Sequence, residues 1–250
     1  MNASNTISRV APLVGALALL ASTGVASAAI SGHRWEVIDN STYSFGSLAG
    51  QPTGLVNVYT FDLYLQDDGS GLPLIALESN TPSQVPTSGI NVTGGTFYQV
   101  DLFGSPNNLP PSAAELSFLP DIEFDSYIGL GALGEAAILA AQPIDFSVAS
   151  GTRLQGAWAV NPPANGGSGS VPPDANGEFF VGRFSVLLSP GQDISTASLA
   201  GELAAVTASG VGPAVIRDII TLSNAFDVIP TPGAAALFGI AGLAAARRRR

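Results

Sequence analysis

The chain has 250 residues, with nine cationic side chains, all arginine, against nineteen acidic ones. It has no cysteine and no lysine, and His33 is its only histidine, so disulfides, a Cys/His zinc centre and a Walker-type phosphate loop are excluded. All nineteen acids, from Glu36 to Asp227, fall within residues 29–228, where only four arginines offset them. That stretch therefore carries about fifteen excess negative charges and argues against nucleic acid as a partner.

Residues 1–28 read as a signal peptide. Arg9 supplies the positive start, Ala11 to Ala21 form a short apolar run, and Ala26-Ser27-Ala28 is a small-x-small cleavage site. Signal peptidase is the implied partner, and the mature chain is expected to start at Ala29. A triad hydrolase would have to use His33, which stands near that new and supposedly flexible N-terminus, a poor place to hold a general base.

The middle, residues 29–228, reads as one acidic, mainly β domain, an antiparallel β-sandwich with one or two short helices. Apolar and β-branched runs broken by Gly, Pro, Asn and Ser predict strands at 34–39, 55–65, 96–103, 122–130, 153–160, 179–188 and 198–206. The run Leu55 to Leu65 is apolar on both faces and is expected to be central in its sheet. Asp67-Asp68-Gly69-Ser70-Gly71 then forms a turn. The stretches 105–112 and 161–173 read as surface loops. Helices are expected over 131–142 and, more weakly, over 213–220.

Several residues are candidates for chemistry. Asp121, Glu123 and Asp125 alternate with Ile122 and Phe124, so on a strand the three carboxylates would share one face. They suit a calcium site or a glycosidase pair, but equally the wet face of a half-buried strand. Asp174 and Asn176 resemble the opening of a calcium loop that lacks its closing glutamate. They equally make a turn into the following strand. Trp35, Trp158, Tyr59, Tyr64, Tyr98 and Tyr127 could stack on sugars, with Trp158 the best placed for exposure, or could pack in the core. No residue is assigned a catalytic role, and no cofactor is required.

The C-terminal stretch, residues 229–250, is the most specific. Pro230-Thr231-Pro232-Gly233 precedes an unbroken apolar run over 233–246, followed by Arg247, Arg248, Arg249 and Arg250. As a transmembrane helix the run would cover about 21 Å, short of a ~30 Å hydrocarbon core. The arginines would act as a cytoplasmic stop.

This order of proline motif, apolar helix and arginine cluster resembles the PEP-CTERM sorting signal, in a Pro-Thr-Pro-Gly form similar to planctomycete variants. The resemblance implies recognition by an exosortase-like membrane enzyme and a cell-surface or extracellular-matrix destination. Gly95 to Gln99 and Phe118 to Tyr127 resemble blocks of secreted planctomycete proteins without assigned activity. The expected function is a non-enzymatic structural or interaction role. The alternatives are a module binding extracellular polysaccharide, with or without calcium, and, third, a glycoside hydrolase.

Overall fold

A computed structural model describes residues 29–39, 57–78, 89–99, 101–102, 105–106, 116, 122, 124–130, 151–154, 156–160, 169–209 and 215–229. The signal segment 1–28, the expected helix 131–142 and the tail from Pro230 onward lie outside them.

The described chain is mainly β. It begins with β1 (Ile30–Ile38), β2 (Val58–Asp67), β3 (Leu74–Glu78), β4 (Gly89–Thr93) and β5 (Gly95–Phe97). Short strands follow: β6 (Asp101–Leu102), β7 (Ser105–Pro106), β8 (Tyr127–Ile128), β9 (Arg153–Leu154) and β10 (Ala157–Ala159). Three long ones close the series: β11 (Glu178–Leu188), β12 (Ser198–Ala208) and β13 (Val215–Leu222).

Two antiparallel sheets carry the structure. In the first, β2 lies between β1 and β11, and the far edge of β11 is shared by β8 and β5. The expectation that the 55–65 run is central is met, since β2 has a paired neighbour on both sides. In the second, β12 is the spine. β13 lies along one edge, while β3 and β4 share the other, extended by β10 and β9. The chain passes between sheets at Gly94, whose φ of 80° suits glycine and which joins β4 directly to β5.

The core follows from alternation. Phe61, Leu63 and Leu65 of β2 point inward at 0% exposure and meet Leu77, Leu199 and Leu203 of the second sheet in one cluster. Aromatic rings fill the centre, with Phe61–Phe226 centroids 5.0 Å apart and Trp35–Phe184 5.9 Å apart, both edge-on. Burial of each such ring contributes about 1.5–3 kcal/mol.

The first sheet is buried on its outer face as well. Ile122 and Phe124 cover part of it, packed against Val58 and Tyr98, while Ile128 and Leu130 join the core between the sheets. β8 approaches β11 so closely that a Cβ at Gly182 would collide with the Tyr127 carbonyl. The neighbouring backbone thus leaves no room for any side chain at position 182.

Four expectations need correction. The helix expected over 213–220 is not found where the segment is described: residues 215–220 belong to β13, whose Val, Ile and Thr content favours strand, and eight residues of pairing with β12 decide the matter. The 122–130 segment is not one strand. Ile122 and Phe124 sit in 3-10 turn geometry, Asp125 N–H donates to the Ile122 carbonyl at 3.0 Å, and pairing begins only at Tyr127. Trp158 is not exposed; it is 1% accessible, because β10 pairs with β3 and turns the indole into the core. His33 does not sit on a flexible terminus, since β1 holds it opposite Leu65. The strands β3, β4, β7 and β13 lie outside the predicted set, β7 at the start of the stretch 105–112 expected as a loop. The helices described in full are single 3-10 turns, Ile194–Thr196 and Ala225–Val228.

Candidate functional site

The antiparallel register of β2 and β11 sets Gln66 opposite Glu178. It therefore brings together two acidic turns separated by about a hundred residues in sequence. Asp67 N–H donates to the Gly177 carbonyl at 2.9 Å and joins them. Ser31, Gln66, Asp67, Gly69, Asn176, Gly177 and Glu178 line a shallow cleft of about 340 Å³ at this end of the sandwich.

Each turn organises itself through an aspartate. Asp67 Oδ2 accepts the N–H groups of Gly69 and Gly71 at 3.0 and 2.9 Å, and Asp68 Oδ1 accepts that of Ser70 at 2.8 Å. Asp174 Oδ1 accepts the N–H groups of Asn176 and Glu178 at 2.8 and 2.9 Å. Such side-chain to backbone bonds are what make Asp a turn former. The bond from Glu178 N–H, with those from Asn176, holds the Asp174 carboxyl below its ordinary value.

Glu178 is bound from the other side. Arg34 donates from Nε and Nη2 to its two oxygens at 3.0 and 2.7 Å, and from Nη1 to Glu36 at 2.8 Å. The guanidinium lies 4.3 Å from the Tyr64 ring centroid. This pairing lowers the Glu178 carboxyl and raises the Arg34 guanidinium. Burial raises the Tyr64 hydroxyl, with the Asp62 charge adding to it.

The expected calcium residues distribute as follows. Asn176 lines this cleft with Asp67, whereas Asp174 is not among the lining residues and accepts bonds from its own turn. Asp121 and Glu123 lie outside the described residues. Asp125, expected on a wet face, is buried instead, and its Oδ1 accepts the Ser126 N–H at 3.0 Å. That is a turn contact, made where Ile122 and Phe124 are in 3-10 geometry rather than strand. Among the described residues no three acidic or histidine side chains are placed to hold a metal ion.

The aromatic candidates pack rather than form a platform. Trp35, Trp158, Tyr98 and Tyr127 are buried, and Tyr59 lies against Phe226. Tyr64 is half-buried between Arg34 and Phe180.

His33 makes a contact that sequence reasoning did not anticipate. Its Nε2 accepts the Ser223 backbone N–H at 2.9 Å and lies 2.9 Å from the Ser223 hydroxyl. A backbone N–H can only donate, so Nε2 carries no proton and the neutral ring holds its hydrogen on Nδ1. Burial lowers the pKa of this imidazole. Among the described residues no carboxylate reaches Nδ1, so the pair lacks the group that orients the base in a triad. The ring ties β1 to the end of β13, as does Trp35 Nε1, which donates to the Ser223 carbonyl at 2.9 Å.

Two features were missed because they are products of pairing. One is the rim itself, which no local pattern announces. The other is a buried ion pair, Asp62 with Arg183, directly opposed across β2 and β11. The sequence did carry a signal for the latter: the apolar runs 55–65 and 179–188 each contain one charge, Asp62 in the first and Arg183 in the second.

No protein-family model, curated protein or solved structure matches the chain. Among the described residues no helix is long and apolar enough to cross a membrane, and the expected transmembrane run 233–246 lies outside them.

Proposed function

We propose that this is an exported protein of the cell surface or extracellular matrix with a structural or interaction role rather than a catalytic one. It is released from its leader after Ala28 and sorted through residues 229–250 by an exosortase-like membrane enzyme. One observation carries this reading: the fold takes up the residues that border both processing segments. Ala29 is 1% exposed and Ile229 packs against the core. The small-x-small site ends at the residue before the first, and the Pro-Thr-Pro-Gly motif starts at the residue after the second. Cleavage at either place leaves the sandwich whole. The lysine-free, strongly acidic domain supports an extracellular role, because its charge keeps it soluble and away from polyanions.

Intact-mass measurement on surface material tests the reading. The expected mass begins at Ala29 and lacks Arg247 to Arg250. Replacing Pro230 and Pro232 together by Ala is expected to leave the full tail on membrane-held protein. Wild-type surface protein that keeps all four arginines would overturn the processing step.

A further inference from the structure

We infer that Asp218 is the docking site for the α-ammonium group created when the leader is removed, so that export completes the fold with a new ion pair. The inference rests on the cleavage position proposed above and adds a binding site to it.

β13 is an edge strand whose inward side carries Ile220 and Leu222 at 7% and 3% exposure. Alternation places Asp218 on that same side, an unusual position for a carboxylate. Its oxygen Oδ2 reaches the edge of the opposite sheet and accepts two backbone N–H groups, from Ala29 at 2.7 Å and from Ile30 at 3.1 Å. Those two groups are its partners among the described residues. Arg34, Arg183 and Arg217 are drawn to other carboxylates: Glu36 and Glu178, Asp62, and Glu78. Asp218 is half-buried there and its carboxylate meets only neutral donors, so it carries a charge that a cation at the same place could pair.

Leader removal supplies the missing charge at the right atom. Hydrolysis breaks the bond between the Ala28 carbonyl carbon and the Ala29 nitrogen. Water's oxygen goes to Ala28, which leaves as a carboxylate, and both water protons end on the Ala29 nitrogen, making it an ammonium. That nitrogen already lies 2.7 Å from Asp218 Oδ2, at the short end expected of an N⁺–H···O⁻ bond. Two further contacts hold the segment in place: the Ala29 carbonyl accepts the Asp68 N–H at 3.0 Å, and Ser31 Oγ donates to the Asp67 carbonyl at 3.0 Å. The ammonium would thus enter a preformed seat without movement of the chain.

The absence of lysine makes the idea directly measurable, because the mature N-terminus is then the only primary amine in the protein. The experiment uses mature protein exported from the full-length gene in four forms. These are wild type, D218N, a Gly-Ser insertion between Ala28 and Ala29, and the two changes combined. Mass spectrometry first fixes the N-terminus, and acylation by an N-hydroxysuccinimide ester then reports the reactivity of the single amine.

The wild-type amine is expected to react about tenfold or more slowly than the inserted one, because a carboxylate at this distance favours the protonated, unreactive form. D218N alone should restore most of the rate, and in its presence the insertion should change little. Melting temperature should fall by about 3–8 °C on insertion in the wild-type background and by much less in the D218N background. A start at Ala29 with equal acylation rates, or with additive melting shifts, overturns the docking while leaving the cleavage intact. A start elsewhere overturns both.

Discussion

Two arginine–carboxylate pairs sit on the same outer face of the first sheet, sharing only β11: Asp62 of β2 meets Arg183, and Arg34 of β1 meets Glu178, and the two differ in how far they are buried. Asp62 and Arg183 are opposed across β2 and β11, joined by two bonds of 2.8 and 2.9 Å, and both are buried. Arg34 reaches over Tyr64 to Glu178 with equally good geometry, but the arginine side chain is 38% exposed. The first pair is roofed over, with both side chains under a tenth exposed, and β8 runs beside it with Tyr127 opposite Arg183. A polar chain lies alongside: Thr60 Oγ1 and Ser185 Oγ lie 2.7 Å apart, and Ser126 Oγ donates to the Ser185 carbonyl at 3.0 Å. Like chemistry therefore has unlike consequences. A roofed pair has lost its water and depends on its partner, whereas an open pair can exchange its partner for solvent.

The sharpest way to break the comparison is to remove one member of the roofed pair. Asp62→Ala is expected to lower unfolding free energy by up to about 3–5 kcal/mol, since it removes the bidentate carboxylate from a buried guanidinium. Urea titration of the mature protein gives the value. Replacing both residues together, Asp62→Leu with Arg183→Met, should recover most of that loss, because apolar groups of similar size need no partner. If the double variant is as unstable as the single one, the pair is holding the roof by something other than mutual compensation.

At the open pair the expected effect is several times smaller. Glu178→Gln should cost about 0.2–1 kcal/mol at low salt, and less again near 1 M, where the screening length shrinks to ~3 Å. Acid should act in the same direction. Glu178 is lowered by Arg34 and Asp174 by the backbone N–H of Glu178. Carboxyls lowered on folding add stability above their unfolded values of about 4, and that stability is lost as the pH falls through the lower folded values. Stability of wild type should therefore drop more steeply than that of Glu178→Gln below about pH 4.5. Parallel curves would mean that the pair contributes nothing to folding.

The sequence disclosed the apolar architecture better than the polar one, and for a physical reason. Leu55 to Leu65 and Phe179 to Leu188 announce themselves as strands because burial on both faces leaves an unbroken apolar run. Single strands, however, say nothing of register. The Asp62–Arg183 pair, the joining of the 67–71 and 174–178 turns, and the reach of Asp218 to Ala29 all depend on which residues oppose one another. Alternation misled where turn chemistry intervened. The pattern from Asp121 to Asp125 reads as a strand, yet Asp125 bonds its neighbour's N–H and the backbone curls into a 3-10 turn. At 213–220 the apolar spacing admitted a helix, and pairing of residues 215–220 with β12 overrode it.

The smallest expected effect concerns the side of the sandwich where β1 meets β13, where His33 offers an uncharged counterpart to both arginine pairs. Its Nε2 accepts the Ser223 N–H, so protonation must break that bond, and burial already disfavours the charged ring. A histidine whose folded value lies below its unfolded value of about 6.5 adds stability above that pH and loses it as the pH falls through the folded value. Between about pH 7.5 and 5 the wild-type protein should therefore lose stability, by less than about 1 kcal/mol because the ring is only half-buried. Glutamine can place its side-chain carbonyl to accept the same N–H without titrating. His33→Gln should accordingly flatten the curve in this window while leaving the carboxylate-driven loss below pH 4.5 in place. A curve unchanged by His33→Gln would show that the imidazole is not the group that titrates, and would return the near-neutral slope to another part of the chain.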